Sequence, residues 1–278
     1  FLIVDNSLKA LQRIGAYHRR KFKIPIVAIT GSNGKTIVKE WIYQLLQPAF
    51  KVTRSPRSYN SQIGVPLSVW QLDKDSEIGV FEAGISEPNE MSNLETIISP
   101  TIGILTNIGD AHQENFQNLK QKCLEKLELF ISCDIIICEE SDRLIEDCMD
   151  TTCLSQKRLT WSKRVSNSSA LQIRNTEKKG TSTIINYLYL GMDFTVEIPF
   201  TDDASIDNVS TALLAALYLG ASVKTITERL SQLEPVAMRL DVRLGRNGNI
   251  IINDSYNSDI NSLKIALDFL DQRATSDK

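Results

Sequence analysis

Ile24-Pro-Ile-Val-Ala-Ile29 runs directly into Thr30-Gly-Ser-Asn-Gly-Lys35-Thr36, and the reading of this stretch decides the fold. The first six residues form an apolar run without alternation, the mark of a strand covered on both faces. A Gly-rich turn follows. The segment 36–47 is predicted to be a helix, with Ile37, Trp41, Ile42, Leu45 and Leu46 on one face and Pro48 helping to end it. In this strand–turn–helix context, small residues let the backbone N–H groups of Gly31, Ser32, Asn33 and Gly34 curl around phosphate oxygens, aided by the helix dipole. Lys35 would neutralise β/γ phosphates, and the Thr36 hydroxyl would reach Mg2+. Ile29 stands where the longer pattern has its first glycine, so this is a shortened phosphate loop; the plain alternative is a helix entered through an ordinary Gly-Ser-Asn turn.

Working outward, short apolar strands alternate with helical segments. Ile78–Phe81, Thr101–Leu105 and Asp134–Cys138 read as strands, separated by helices at about 89–98 and 117–131. This alternation predicts an α/β fold with a mostly parallel sheet and helices on both faces. After Thr160 the rhythm changes. Ala170–Arg174, Ser182–Tyr189 and Phe194–Ile198 read as a small antiparallel portion, either an edge or an accessory sheet. Two helices return at about 206–219 and 222–233. Arg239–Leu244 and Asn249–Asn253 then flank Gly245-Arg-Asn-Gly248, a hairpin turn signal, and a last helix is predicted at about 259–272. The opening helix, Ser7–Arg20, spaces Leu8, Leu11 and Ile14 helically and ends in a basic run whose His18 reads as a solvated helix-end residue.

Composition bounds the function. The chain has 278 residues, about two domains at ~150 each. Its 42% apolar and 23% charged residues exclude a disordered or fibrous chain. Thirty-one Lys and Arg against 34 Asp and Glu leave a net charge of -3, which supplies neither a nucleic-acid footprint nor a polybasic membrane patch. The longest apolar stretch, Ala212–Ala221, is too short for a spanning helix. No signal peptide is read, and the five cysteines, with no pair two residues apart, argue for reduced thiols and a cytoplasmic protein. The first residue is not Met, so the expectation is a piece of a longer chain.

Three further positions could carry chemistry. Glu82 ends the strand Ile78–Phe81, and ligands of open parallel sheets gather at the carboxyl ends of strands. Its carboxylate would suit a hard cation, the alternative being a loop or N-cap role. His112, in Thr106-Asn-Ile-Gly-Asp-Ala-His112, follows another strand; alone it reads as a hydrogen-bonded structural residue, beside Glu82 as a ligand. Helix geometry marks the third. Advancing ~100° per residue from Leu119, the buried stripe holds Cys123, Leu127 and Phe130, and Lys126 falls about 20° outside Leu119 while Glu128 lies on the wet face. An inward lysine must snorkel, pair, shift its pKa or be modified, and Lys122 shares part of that ambiguity.

Taken together, these residues resemble the Mur ligase family, ATP-dependent amide-bond ligases of peptidoglycan synthesis. Thr30–Thr36, Glu82-Ala-Gly84, Thr106-Asn-Ile-Gly with Ala111-His112, and Lys126-Leu-Glu128 follow in the family's order. Asn208-Val-Ser-Thr-Ala-Leu-Leu-Ala-Ala resembles the helix presenting an Asn to adenine, with Ala204-Ser205 where the family has His-Asn. Asn253-Asp-Ser-Tyr-Asn257 with Ser262, and Ser58-Tyr-Asn-Ser-Gln-Ile-Gly-Val-Pro66, resemble the type that adds D-alanyl-D-alanine to UDP-N-acetylmuramoyl-tripeptide. The resemblance implies that Thr36 and Glu82 hold one Mg2+, and that His112 and a carbamylated Lys126 hold a second. It further implies Asn208 on adenine, Asp254 on the ribose hydroxyls, and Arg239 on a phosphate near the domain junction. The reaction would be phosphoryl transfer to the tripeptide carboxylate, then attack by the dipeptide amine on the acyl phosphate. The expected domains are the tail of a UDP-substrate domain (1–22), a central ATP-binding domain (23–236) and the start of a dinucleotide-fold domain (237–278). A fused alanine racemase is compatible. A folylpolyglutamate-type or other Mur ligase, or a non-ligating P-loop hydrolase, are the alternatives.

Overall fold

The computed structural model describes residues 3–47, 49–109, 115–140, 142–154, 157–166, 168–237, 241–246 and 249–255, with 263, 266, 267 and 270. The decisive stretch forms β1 (Ile26–Thr30), all five residues buried, and α2 (Lys35–Leu46). Before it, α1 (Ser7–Arg19) is capped by the Asn6 side chain, which accepts from Lys9 N. The chain continues through β2 (Val52–Arg54), α3 (Gly64–Val69), β3 (Ile78–Glu82), α4 (Met91–Ile98), β4 (Ile102–Leu105) and α5 (Leu119–Leu127), which tightens into a 3-10 turn, Glu128–Phe130. Then come β5 (Ile135–Glu139), α6 (Arg143–Thr151), β6 (Arg158–Ser162), β7 (Leu171–Lys179), β8 (Ser182–Tyr189), β9 (Met192–Ile198), α7 (Asp203–Tyr218) and α8 (Val223–Leu230).

Nine strands form one sheet in the order β2-β3-β1-β4-β5-β6-β7-β8-β9. Pairings from β2 to β7 are parallel; β7–β8 and β8–β9 are antiparallel. The predicted antiparallel portion is therefore an edge of the main sheet. Residues of β1 alternate between two cores. Val27 and Ile29 pack with Val38, Trp41, Leu45, Val209 and Leu213 from α2 and α7. Ile26 and Ala28 pack with Val69, Leu94, Cys123 and Ile145 from α3, α4, α5 and α6. Continuous apolar strands covered on both faces follow from this three-layer arrangement.

The register places the site. Ile29 pairs with Glu82 and Thr30 with Leu105, so the carboxyl ends of β3, β1 and β4 lie side by side where the chain crosses from one side of β1 to the other.

His18 is half-buried and packed rather than freely solvated. Its Nε2 lies 2.8 Å from Leu72 O, and its ring packs 4.5 Å from that of Trp70 and 5.0 Å from Phe22. Arg19, in the same basic run, is buried, donating to Ile98 O at 2.7 Å and to Phe22 O and Ser99 O at 2.8 Å each. The bonds to Ile98 O and Ser99 O satisfy carbonyls at the end of α4, and burial lowers the Arg19 pKa. The predicted hairpin forms from β10 (Asp241–Leu244) and β11 (Ile250–Asn253), a separate antiparallel pair closed by Gly245 N donating to Asn249 O. The predicted helix 259–272 lies almost wholly outside the described residues.

Candidate active site

A cleft of about 520 Å³ opens at the three strand ends, lined by Gly31–Thr36, Asn60, Glu82, Gly84 and Lys126, among others. Its floor is the phosphate loop, and two glycines have no substitute there. Gly31 has φ +144°, and a Cβ on it would sit 2.0 Å from Thr106 Oγ1; Gly34, the N-cap of α2 at φ +81°, would meet Asn208 Oδ1 at 2.3 Å. Only glycine takes these backbone angles without strain.

The segment after β4 braces the loop from one side. Thr106 Oγ1 donates to Asn33 O at 2.6 Å, Asn107 Oδ1 accepts from Asn33 N at 3.0 Å, and Asn107 O accepts from Ser32 N at 2.8 Å. Gly109 N donates to Ser32 Oγ at 2.8 Å. Two N–H groups assigned to phosphate from the sequence, those of Ser32 and Asn33, are therefore spent on Asn107, although both residues line the cleft. The first turn of α2 has no side-chain cap, which leaves the helix N-terminus for an anion.

Around the start of α2 the oxygen atoms converge. Thr36 Oγ1 donates to Glu82 Oε1 at 3.0 Å and lies 3.1 Å from Ser58 Oγ; Asn60 Nδ2 donates to the same Glu82 oxygen at 3.0 Å. Glu82 is fully buried, with its backbone N–H bonded to Ser55 Oγ, and its Oε2 has no hydrogen-bond partner. A buried carboxylate with unused acceptor capacity beside two hydroxyls suits Mg2+, which takes oxygen ligands and completes its shell with water and phosphate. No group of three or more His, Cys, Asp or Glu able to hold a metal occurs among the described residues, so any cation here leans on its other ligands.

Lys35 Nζ donates to Gly31 O at 2.9 Å and Ser32 O at 3.0 Å, folding back over its own loop. Lys126 reaches the same Gly31 oxygen at 3.2 Å from α5, and it is 3% exposed. The inward direction read from the helical angles is therefore correct, while Glu128 is half-buried. Burial, with Lys35 and Lys122 nearby, holds the Lys126 pKa well below the usual lysine value. Lys122, also buried, donates to Gly109 O.

Asn208 is buried on α7 with its amide against Gly34. Asp254 follows β11 and is not among the cleft-lining residues. His112 and Arg239 lie outside the described residues. Sequence reasoning gave no role to Lys39, Ser55 and Asn60, which surround Glu82, or to Ser58, which meets Thr36. For Lys39 a signal existed. It falls about 20° from Leu46 on the α2 wheel, at the border of the buried stripe, by the same test that marked Lys126.

Comparison with known proteins identifies the family. Residues 29–216 match the Mur ligase middle domain. The chain is 28% identical over 269 residues to the UDP-N-acetylmuramoyl-tripeptide--D-alanyl-D-alanine ligase of Bacillus subtilis, covering 96% of this chain and 57% of that protein. It is 31% identical over 271 residues to the ligase of the same name from Borreliella burgdorferi, covering 94% and 56% respectively. The crystal structure of MurF ligase from Thermotoga maritima in complex with ADP superposes with a TM-score of 0.84 at 25% identity, over 97% of this chain and 62% of that one. The chain thus spans somewhat more than half the length of these curated relatives. With the matched segment running from the end of β1 into α7, the chain belongs to the Mur ligase family.

Proposed function

We propose that the polypeptide carrying this chain is an ATP-dependent ligase that joins D-alanyl-D-alanine to UDP-N-acetylmuramoyl-tripeptide through an acyl phosphate, in the cytoplasm. The observation that carries this reading is the convergence of Lys35, Thr36, Glu82 and Lys126 on one cleft, in a chain aligned over nearly all its length with ligases of that name. The segments 1–22, 23–236 and 237–278 would be a linker from the UDP-substrate domain, the ATP-binding domain and the start of a third domain. No described helix is long and apolar enough to cross a membrane, in keeping with soluble substrates.

The residues divide the work as follows. Lys35 leaves Gly31 O and Ser32 O to neutralise the terminal phosphates, the main task in phosphoryl transfer. Thr36 and Glu82 hold one Mg2+, which would screen the charge on the transferring group when bound. Asn208 contacts the adenine, and Asp254 and Arg239 complete the nucleotide site from the third domain. Because burial favours the neutral amine, Lys126 can add CO2, releasing one proton and becoming an anionic carbamate. That carbamate, with His112, would give a second Mg2+ the oxygen ligand it prefers. The tripeptide carboxylate attacks the γ-phosphorus, ADP leaves, and the dipeptide amine displaces phosphate from the acyl carbon to form the amide. No protein nucleophile takes part.

The test is ATP-dependent product formation from the two named substrates by the intact polypeptide. One ADP and one phosphate per amide bond are expected. ATP hydrolysis with neither acceptor present, and no amide formed with both, would identify a non-ligating hydrolase instead.

A further inference from the structure

Lys39 plays no part in the reading above, yet its ammonium group sits behind the cation site. It is 0% exposed and has four oxygen neighbours: Ser55 O at 2.9 Å, Arg57 O, Glu40 Oε1 at 3.1 Å and Glu82 Oε2 at 3.5 Å. A buried charge persists only where its surroundings offset the lost hydration. Glu40 is not the carboxylate that depends on Lys39. Arg54 Nε holds Glu40 Oε2 at 2.9 Å, and the Arg54 guanidinium lies over the Tyr43 ring at 3.5 Å. That leaves Glu82, itself 0% exposed, as the charge opposite Lys39.

An ammonium has three protons to donate. Two of those of Lys39 go to Ser55 O and Arg57 O, while Glu40 Oε1 and Glu82 Oε2 face the ammonium at ion-pair distances of 3.1 Å and 3.5 Å, so Glu82 Oε2 receives its field and has no hydrogen-bond partner. The two carboxylate oxygens are thereby divided. Oε1 takes the cleft-lining Thr36 and Asn60, and Oε2 faces the ammonium. The same ammonium ties the carbonyls of residues 55 and 57, which lead into Ser58 and Asn60, to the helix that bears Thr36.

We propose that Lys39 is a positioning residue that makes divalent-cation binding at Glu82 depend on nucleotide. Paired with an ammonium at 3.5 Å, Glu82 presents almost no net charge to an arriving dication, which is held only when the phosphate oxygens of a nucleotide supply the missing negative charge. The proposal rests on the reading of Glu82 as a cation ligand.

The test is Mn2+ binding by the intact polypeptide, followed by electron paramagnetic resonance with and without a non-hydrolysable ATP analogue. The wild type is expected to hold Mn2+ weakly alone and firmly with the analogue. Lys39→Met, confirmed folded by circular dichroism, is expected to bind Mn2+ without nucleotide at least about tenfold more tightly, because Glu82 is left uncompensated. Lys39→Arg is expected to behave as wild type. The added Glu82→Gln change is expected to abolish the affinity gained by Lys39→Met. A folded Lys39→Met protein within about twofold of wild type, while Glu82→Gln alone abolishes nucleotide-dependent binding, overturns the role of Lys39 and spares that of Glu82. Gained binding that survives Glu82→Gln overturns the reading of Glu82 itself. If Lys39→Met does not fold, the wild type decides: Mn2+ held equally firmly with and without the analogue overturns the proposal.

Discussion

Replacing Gly31 by Ala asks whether the phosphate loop is held by a close approach of two backbones. The added methyl carbon would lie 2.0 Å from Thr106 Oγ1 and 3.1 Å from both N and O of Asn107, at a φ of +144°. Holding alanine at such an angle costs about 1–3 kcal/mol. Making room in a packed site costs a further ~1–3 kcal/mol. Turning Thr106 away also loses its bond to Asn33 O, worth ~1 kcal/mol. Reduced freedom of the unfolded chain returns only about 0.4–1 kcal/mol. The expected net loss is about 2–7 kcal/mol, a large part of the ~5–15 kcal/mol that stabilises a typical domain. Urea unfolding should show a lower midpoint at unchanged slope. Thr106→Ala removes the nearest clashing atom, so the double variant should recover about 1–3 kcal/mol relative to the sum of the singles. A Gly31→Ala protein within about 0.5 kcal/mol of wild type, well below these costs, would show that no close approach of the two backbones holds the loop.

Lys126 is held neutral more readily in the folded protein than in the unfolded one, so between its lowered pKa and its ordinary one the unfolded chain binds the extra proton. Stability should therefore rise with pH across that window, by at most about 1.4 kcal/mol per pH unit, and Lys126→Met should flatten the slope in unfolding curves taken from pH 7 to 10 under CO2-free conditions. Lys126→Ala should cripple phosphoryl transfer in the intact enzyme, with partial recovery on adding a short carboxylate, as steady-state ADP release would report. Lys35→Ala should abolish turnover while leaving the melting temperature nearly unchanged; near-normal amide formation would remove the phosphate-loop assignment. Arg19→Ala strips donors from three carbonyls and should cost about 2–4 kcal/mol in urea unfolding, and Arg19→Lys should recover little of it because the planar fork is lost.

The parallel half of the sheet was legible because its strands are unbroken apolar runs, and only a two-sided core accepts those. β2 and α3 escaped notice for physical reasons. The first is a three-residue sheet edge; the second carries Gly64 and Pro66, which read as loop punctuation. In β6, Arg-Leu-Thr-Trp-Ser shows no clean period, since that strand lies between parallel neighbours inside the sheet and buries consecutive residues, Thr160 to Ser162. α6 went unread although Asp142 caps it through bonds to Leu144 N and Ile145 N. In the site, Glu82 was visible from its place at a strand end and Lys126 from its helical angle. Ser55 was not, and Ser58 and Asn60 stood out only as part of a motif without a role, because they reach Thr36 and Glu82 from a loop whose path no local pattern specifies. The bracing of the phosphate loop by Asn107 depends on the pairing of β1 with β4, which sequence spacing alone does not fix.

A crystal structure of the intact polypeptide with Mg2+ and a non-hydrolysable ATP analogue reaches the heart of the matter. The triphosphate is expected across the N-terminus of α2, with Lys35 Nζ moved from Gly31 O and Ser32 O onto phosphate, the cation on Thr36 and Glu82, and added density on the Lys126 amine. A nucleotide bound away from β1 and α2, with Lys35 and Glu82 left as they stand, would contradict this assignment of the site.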